Sequence, residues 1–101
     1  MNRPSPTPND TVKIAVDDLA DHLSVSIDTI EVVEARAVTW RTSALGCPMP
    51  GEFYNQALVD GMLVLLRHGD DVHRYHAGKD GRPFRCVSAQ PEEPLSSQDE
   101  E

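Results

Sequence analysis

A small α+β domain is the fold class this sequence predicts: one N-terminal helix and a short helical turn laid on an antiparallel meander of three to five strands. Three observations carry it. Val12, Val16, Leu19, Ala20 and Leu23 recur mostly at three- and four-residue intervals, which gives a helix one apolar face. From Glu31 the period shortens and β-branched residues accumulate, as they do in strands. The second half is then punctuated by Asp60-Gly61, Gly69-Asp70 and Asp80-Gly81, dipeptides that reverse a chain. A helix that must bury one face and a sheet that must bury another satisfy each other as two packed layers.

Each element has its own justification. Asp10 can cap a helix that begins near Thr11, with Asp17, Asp18, Asp21 and His22 on its solvated side, and the helix should stop near Leu23–Ser24. Ser26 caps a turn of helix through Thr29, which sets Ile30 against the same core. In Glu31–Trp40, Val33, Ala35 and Ala37 share one side while Val32 and Val38 break the alternation, so the strand carries a bulge or starts late. Four further short strands are expected at Tyr54–Val59, Met62–Arg67, Val72–His76 and Phe84–Val87.

Between strands lies the least regular stretch, Trp40–Tyr54, with the only Trp and one of two Cys. Pro48 and Pro50 fix their own φ and push Cys47 and Met49 towards extended backbone. Gly46 and Gly51 flank them and supply conformations that other residues avoid. A stiff loop that aims Cys47 in one direction serves as an anchor or a site, and loops of this kind carry function more often than core elements do.

Composition limits the rest. With 101 residues the chain makes one domain at most. Residues 1–9, with Pro4, Pro6 and Pro8, and the acidic stretch 89–101 are too polar to offset their ordering entropy, so both ends are expected to be disordered around a folded 10–88. A net charge of −8 and a pI near 4.8 disfavour binding to nucleic acid, which needs clustered cations. No apolar run is long enough for a membrane helix. No basic segment followed by an apolar core opens the chain, so the expected compartment is the cytoplasm, or outside it if a leader has been removed. A monomer without cofactor is the expectation, its partner an unknown protein or small ligand.

Several constellations compete for function. Cys47 and Cys86 are the only cysteines. They are two separate buried thiols, or a disulfide that would contribute roughly 4 kcal/mol to so small a domain, or part of a metal set with His76 and His73. The metal spacing is poor, since no CxxC or HxxxH is present and His73 and His76 point to opposite faces of a strand. Cys–His nucleophilic chemistry is the enzymatic possibility; it needs an activated thiolate and a cleft that so short a chain has little room to build. Leu19–Ile30 has the cadence of half a helix-turn-helix, but its second helix would present Asp28, Glu31 and Glu34 with only Arg36 to the phosphates. Tyr75, His76 and Phe84 read as cross-strand packing or, with His73, as an edge offered to a ligand. Arg67, His68, Arg74, Arg82 and Arg85 make the last hairpins locally basic, a docking face or an ordinary solvated one.

Leu45-Gly46-Cys47-Pro48, Pro50-Gly51, Tyr54, Tyr75-His76 and Cys86 together resemble a family of small uncharacterised bacterial domains with an LGCPxPGxxY loop, a Tyr-His strand and a closing Cys. Many of its members look exported or lipoprotein-like. The resemblance spans roughly Asp18 to Cys86 and implies no activity, but it does imply that Cys47 and Cys86 belong together. The resulting expectation is a non-catalytic binding module. Its working surface would combine Pro48, Met49, Pro50, Glu52 and Tyr54 with His73, Tyr75 and His76. A metal- or redox-responsive protein using Cys47, Cys86 and His76 is the alternative, ahead of a Cys–His hydrolase.

Overall fold

A computed structural model describes residues 7–95. Helix α1 runs Pro8–Leu23 and is followed by a 3-10 turn at Ile27–Thr29. Strands β1 (Glu31–Trp40), β2 (Val59–His68), β3 (Asp71–Ala77) and β4 (Phe84–Arg85) make one antiparallel sheet in the order β1-β2-β3-β4. The α+β meander predicted from the sequence is the fold observed.

The helix starts earlier than the apolar stripe suggests. Thr7, not Asp10, is the N-cap: its hydroxyl accepts from the Asp10 N–H, and the Asp10 carboxylate accepts in return from the Thr7 N–H, both at 3.2 Å. Pro8 follows at the first helical position, where its missing N–H is no loss. Ser24 closes the helix in the left-handed region at φ 57°, and Ser26 caps the 3-10 turn through the Asp28 N–H.

The expected bulge lies at Val33, where the β1–β2 register shifts between Val32 and Glu34. The strand expected at Tyr54–Val59 does not form; that stretch stays irregular up to Leu58, and β2 runs straight through Asp60-Gly61. The glycine serves approach rather than reversal. A Cβ there would stand 1.9 Å from the Ala77 carbonyl oxygen and 2.8 Å from Trp40 Nε1. These two atoms hydrogen-bond at 2.9 Å directly over Gly61. The last strand is two residues long instead of four, and beyond it only the Cys86 N–H continues the pairing, to the Arg74 carbonyl at 2.8 Å.

Register sorts the side chains onto two faces. On one, Ala15 and Leu19 of α1 pack on Val64, Leu66 and Tyr75, with Val12, Val16, Leu23, Ile30 and Met62 around them. Thr11 Oγ1 donates to the Gly81 carbonyl at 2.7 Å and pins the helix start to the β3–β4 turn. The other face holds Val38, Trp40 and Leu63, with Leu45, Val59 and Leu65 against them. β2 is therefore apolar on both sides, which is why Met62–Leu66 has no alternation in sequence. Irregular chain covers this second face: the loop after β1, and residues 89–95, whose Glu92 and Leu95 N–H groups donate to Gly46 and Thr39 carbonyls, both at 2.9 Å. Pro8 and Asn9 belong to the helix, and 89–95 bonds to Gly46 in the loop and to Thr39 on the free edge of β1; the rest of both ends expected to be disordered, 1–6 and 96–101, lies outside the described residues.

Candidate functional site

The loop after β1 is tied to itself. At its neck the Ser43 N–H donates to the Asn55 carbonyl at 3.0 Å and the Asn55 N–H to Ser43 Oγ at 2.9 Å. Turns close at Thr42–Leu45, Ala44–Cys47 and Met49–Glu52. Pro48 and Pro50 bring no donors, and the one N–H between them, that of Met49, donates to the Tyr54 hydroxyl at 3.0 Å. Leu45 sits at φ 56°, uncommon for a bulky side chain. Gly46 follows at φ 75° with Trp40 pressed so close that a Cβ would lie 2.3 Å from Cζ3. Only glycine fits both the conformation and the indole.

One covalent bond anchors the loop to the sheet. Cys47 and Cys86 form a disulfide with Cα atoms 5.8 Å apart. Neither sulfur is then a thiolate, so the metal set of Cys47, His76 and Cys86 loses two of its three ligands and the Cys–His pair loses its nucleophile. Among the described residues no three His, Cys, Asp or Glu side chains are grouped to hold a metal ion.

His76 is fully buried. Its ring stacks on Trp40 with centroids 4.5 Å apart. Nδ1 lies 2.8 Å from the Leu45 carbonyl, and Nε2 lies 3.1 Å from Arg74 Nε. A guanidinium only donates, so Nε2 accepts and the proton sits on Nδ1, facing Leu45. Burial, reinforced by the Arg74 charge, holds the imidazole below its ordinary pKa despite that carbonyl. It is a neutral strut between loop and sheet, with no face left for a ligand.

The expected working surface accordingly splits. His76 is interior. Tyr75 is also fully buried, on the opposite face, where its hydroxyl donates to Asp18 Oδ2 at 2.7 Å; burial and that carboxylate push its pKa well up. His73 pairs with Leu66 and so shares the helix side, half-buried, its pKa lowered by burial and then by Arg85. Nearby, Arg85 Nη2 and His22 Nε2 lie 3.0 Å apart. None of the three joins the loop in one surface.

Pro48, Met49 and Pro50 do meet something, and it comes from the chain's far end. They form one wall of an open cleft of about 560 Å³, whose other wall is Ser88, Ala89, Gln90, Pro91 and Glu92. Ser88 Oγ donates to the Pro48 carbonyl at 2.6 Å across its base. The disulfide roots both walls, since Cys47 directly precedes Pro48 and Cys86 stands two residues before Ser88. Tyr54 is half-buried as a brace, while Met49 and Glu52 are exposed. Phe53 is 98% exposed, a cost that folding alone does not require.

The model of a family described as a domain of unknown function, DUF8738, matches residues 12–86. The chain belongs to this family. The DUF8738 match runs from the first apolar turn of α1 to Cys86, so both sulfurs fall within it while Ser88–Glu92 follows it. No curated protein and no solved structure matches the chain.

Sequence reasoning missed two parts of this site. Phe53 gave one cue, as the first of two adjacent aromatics in a loop whose Tyr54 can bond inward. Residues 89–92 gave almost none, because the polar chain after Ser88 reads as solvated tail until the Glu92 N–H bond to the Gly46 carbonyl is seen.

Proposed function

We propose that this DUF8738 domain is a non-catalytic binding module that acts as a monomer and holds a partner protein or small ligand at the cleft between Pro48–Pro50 and Ser88–Glu92. The single observation that carries the reading is a braced cleft lined by the exposed Met49, with Phe53, four residues further along the same loop, left in solvent. A volume near 560 Å³ lies within the range that binding sites occupy. Exposed aromatic and Met side chains on a rigid support are the usual anchors of interfaces. The LGCPxPGxxY loop is, on this reading, the signature of a bacterial group within the family. The disulfide supports an oxidising, extracytoplasmic working compartment.

The test is a pull-down with the oxidised chain and the variants Met49→Ala and Phe53→Ala, with Ile27→Ala on the 3-10 turn as a control. A partner retained by wild type and by Ile27→Ala, and lost by the cleft variants at unchanged melting temperature, is the expected outcome. Equal capture by all four proteins refutes the cleft, and loss of fold in the cleft variants makes the loop structural. A second reading, a redox-responsive binder, has one observation in its favour: the same disulfide roots both walls. It requires that capture change when the disulfide is reduced.

A further inference from the structure

Both walls of the cleft come from stretches with no cation. Residues 42–66 and 86–101 contain no Lys, Arg or His, whereas they hold Glu52, Asp60, Glu92, Glu93, Asp99, Glu100 and Glu101. The ion pairs among the described residues are Lys13–Asp17, Glu34–Arg36, Glu31–Arg67 and Arg74–Glu93, and none of them engages Glu52 or Glu92. Glu92 lines the cleft, and its backbone is fixed by the bond to the Gly46 carbonyl. Glu52 closes the turn that presents Met49. Thus the cleft pairs fixed apolar surface, from Pro48, Met49, Pro50 and Pro91, with one lining carboxylate, Glu92, and Glu52 follows three residues after Met49 in the same loop; neither wall supplies a base to answer them.

From this complementarity we infer that the cleft takes a cationic, extended peptide segment, in which an apolar side chain enters against Met49 and the prolines while a neighbouring Lys or Arg reaches Glu92 or Glu52. This rests on the cleft being the binding site, and it adds the partner's chemistry. A segment alternating apolar and basic residues presents the two kinds of group to opposite sides in extended form. The chain's charge of −8 would steer such a segment in and repel an acidic one.

The probe is a short, end-blocked, fluorescently labelled peptide alternating Arg and Leu, titrated with the oxidised full-length chain and followed by anisotropy. Its Glu-Leu counterpart and an oligo-arginine of equal charge serve as comparisons. Wild type is expected to bind the Arg-Leu peptide best, with affinity falling roughly three-fold or more as salt rises from about 50 to about 300 mM. Glu92→Gln and Met49→Ala should each weaken binding, about three-fold or more. Asp28→Asn, which removes one charge at the far end of β1, should leave it within about two-fold. Equal binding of the Glu-Leu peptide overturns the inference. So does oligo-arginine binding as tightly and indifferently to Met49→Ala, or Asp28→Asn weakening binding as much as Glu92→Gln. If no peptide binds although protein capture still depends on Met49 and Phe53, the cationic partner is wrong and the binding module stands. If that capture fails as well, both fall.

Discussion

Breaking the Cys47–Cys86 bond should remove a large part of this domain's stability. The bond spans 39 residues in sequence, for which the chain-entropy relation gives about 13 cal/mol/K, or about 4 kcal/mol at 25 °C. Domains of this size have roughly 5–15 kcal/mol in total, so about a quarter to four-fifths is at stake. At about 4–8 °C per kcal/mol the melting temperature should fall by roughly 15–30 °C. The loss should also be uneven. Ala15, Leu19, Val64, Leu66 and Tyr75 pack on the helix side without help from either sulfur, whereas Trp40, Val38 and Leu63 are covered by the loop that Cys47 anchors. The assay is thermal unfolding of the oxidised chain, the reduced chain and a Cys47→Ala/Cys86→Ala double variant. Far-ultraviolet circular dichroism would follow the helix, and fluorescence of Trp40, the only Trp, would follow the opposite face. Melting temperatures within about 5 °C of one another would refute the reasoning, because that gap corresponds to only about 1 kcal/mol.

Gly61→Ala should cost several kcal/mol by urea denaturation, about 3 or more, since its Cβ meets the Ala77 oxygen at 1.9 Å and severs the Trp40 hydrogen bond; a cost below about 1 kcal/mol would mean β2 and β3 yield easily there. Tyr75→Phe should lose about 1–2 kcal/mol with the fold intact, because it deletes only the donor to Asp18. Stability should decline as pH falls through 6.5. Burial holds His76 below that ordinary value, so the unfolded chain takes up the proton first; the slope from this one group is at most about 1.4 kcal/mol per pH unit and flattens once the folded His76 is itself protonated. Urea midpoints that rise between pH 7.5 and 5.5 would contradict this.

Much of the fold was legible in the sequence because each local choice agreed with the whole. The period of α1, the Ser26 cap and the bulge in β1 depend on neighbouring residues and were readable as such. What failed depended on distant chain. Asp60-Gly61 looks like a reversal, but its glycine answers to Trp40 and Ala77, residues 21 positions before and 16 after it. Thr7 was hidden among prolines that read as disorder, although Pro8 at a first helical position is favourable. The site was half legible. Proline bracing of Cys47 is a local property, so the loop stood out. Placing His73, Tyr75 and His76 beside it required knowing which face each strand residue takes, and register with β2 sets that. The second wall of the cleft was invisible because its backbone tie to the loop, the Glu92 N–H to the Gly46 carbonyl, joins residues 46 positions apart.

The two-sided burial of β2 has a consequence for how the molecule matures. Until the two thiols join, the loop over Trp40 and Leu63 is held to the sheet by packing and by hydrogen bonds alone, such as that between the His76 ring and the Leu45 carbonyl. Each opening of that loop would offer an apolar sheet face to chaperones or proteases, and the covalent tie makes such openings rarer.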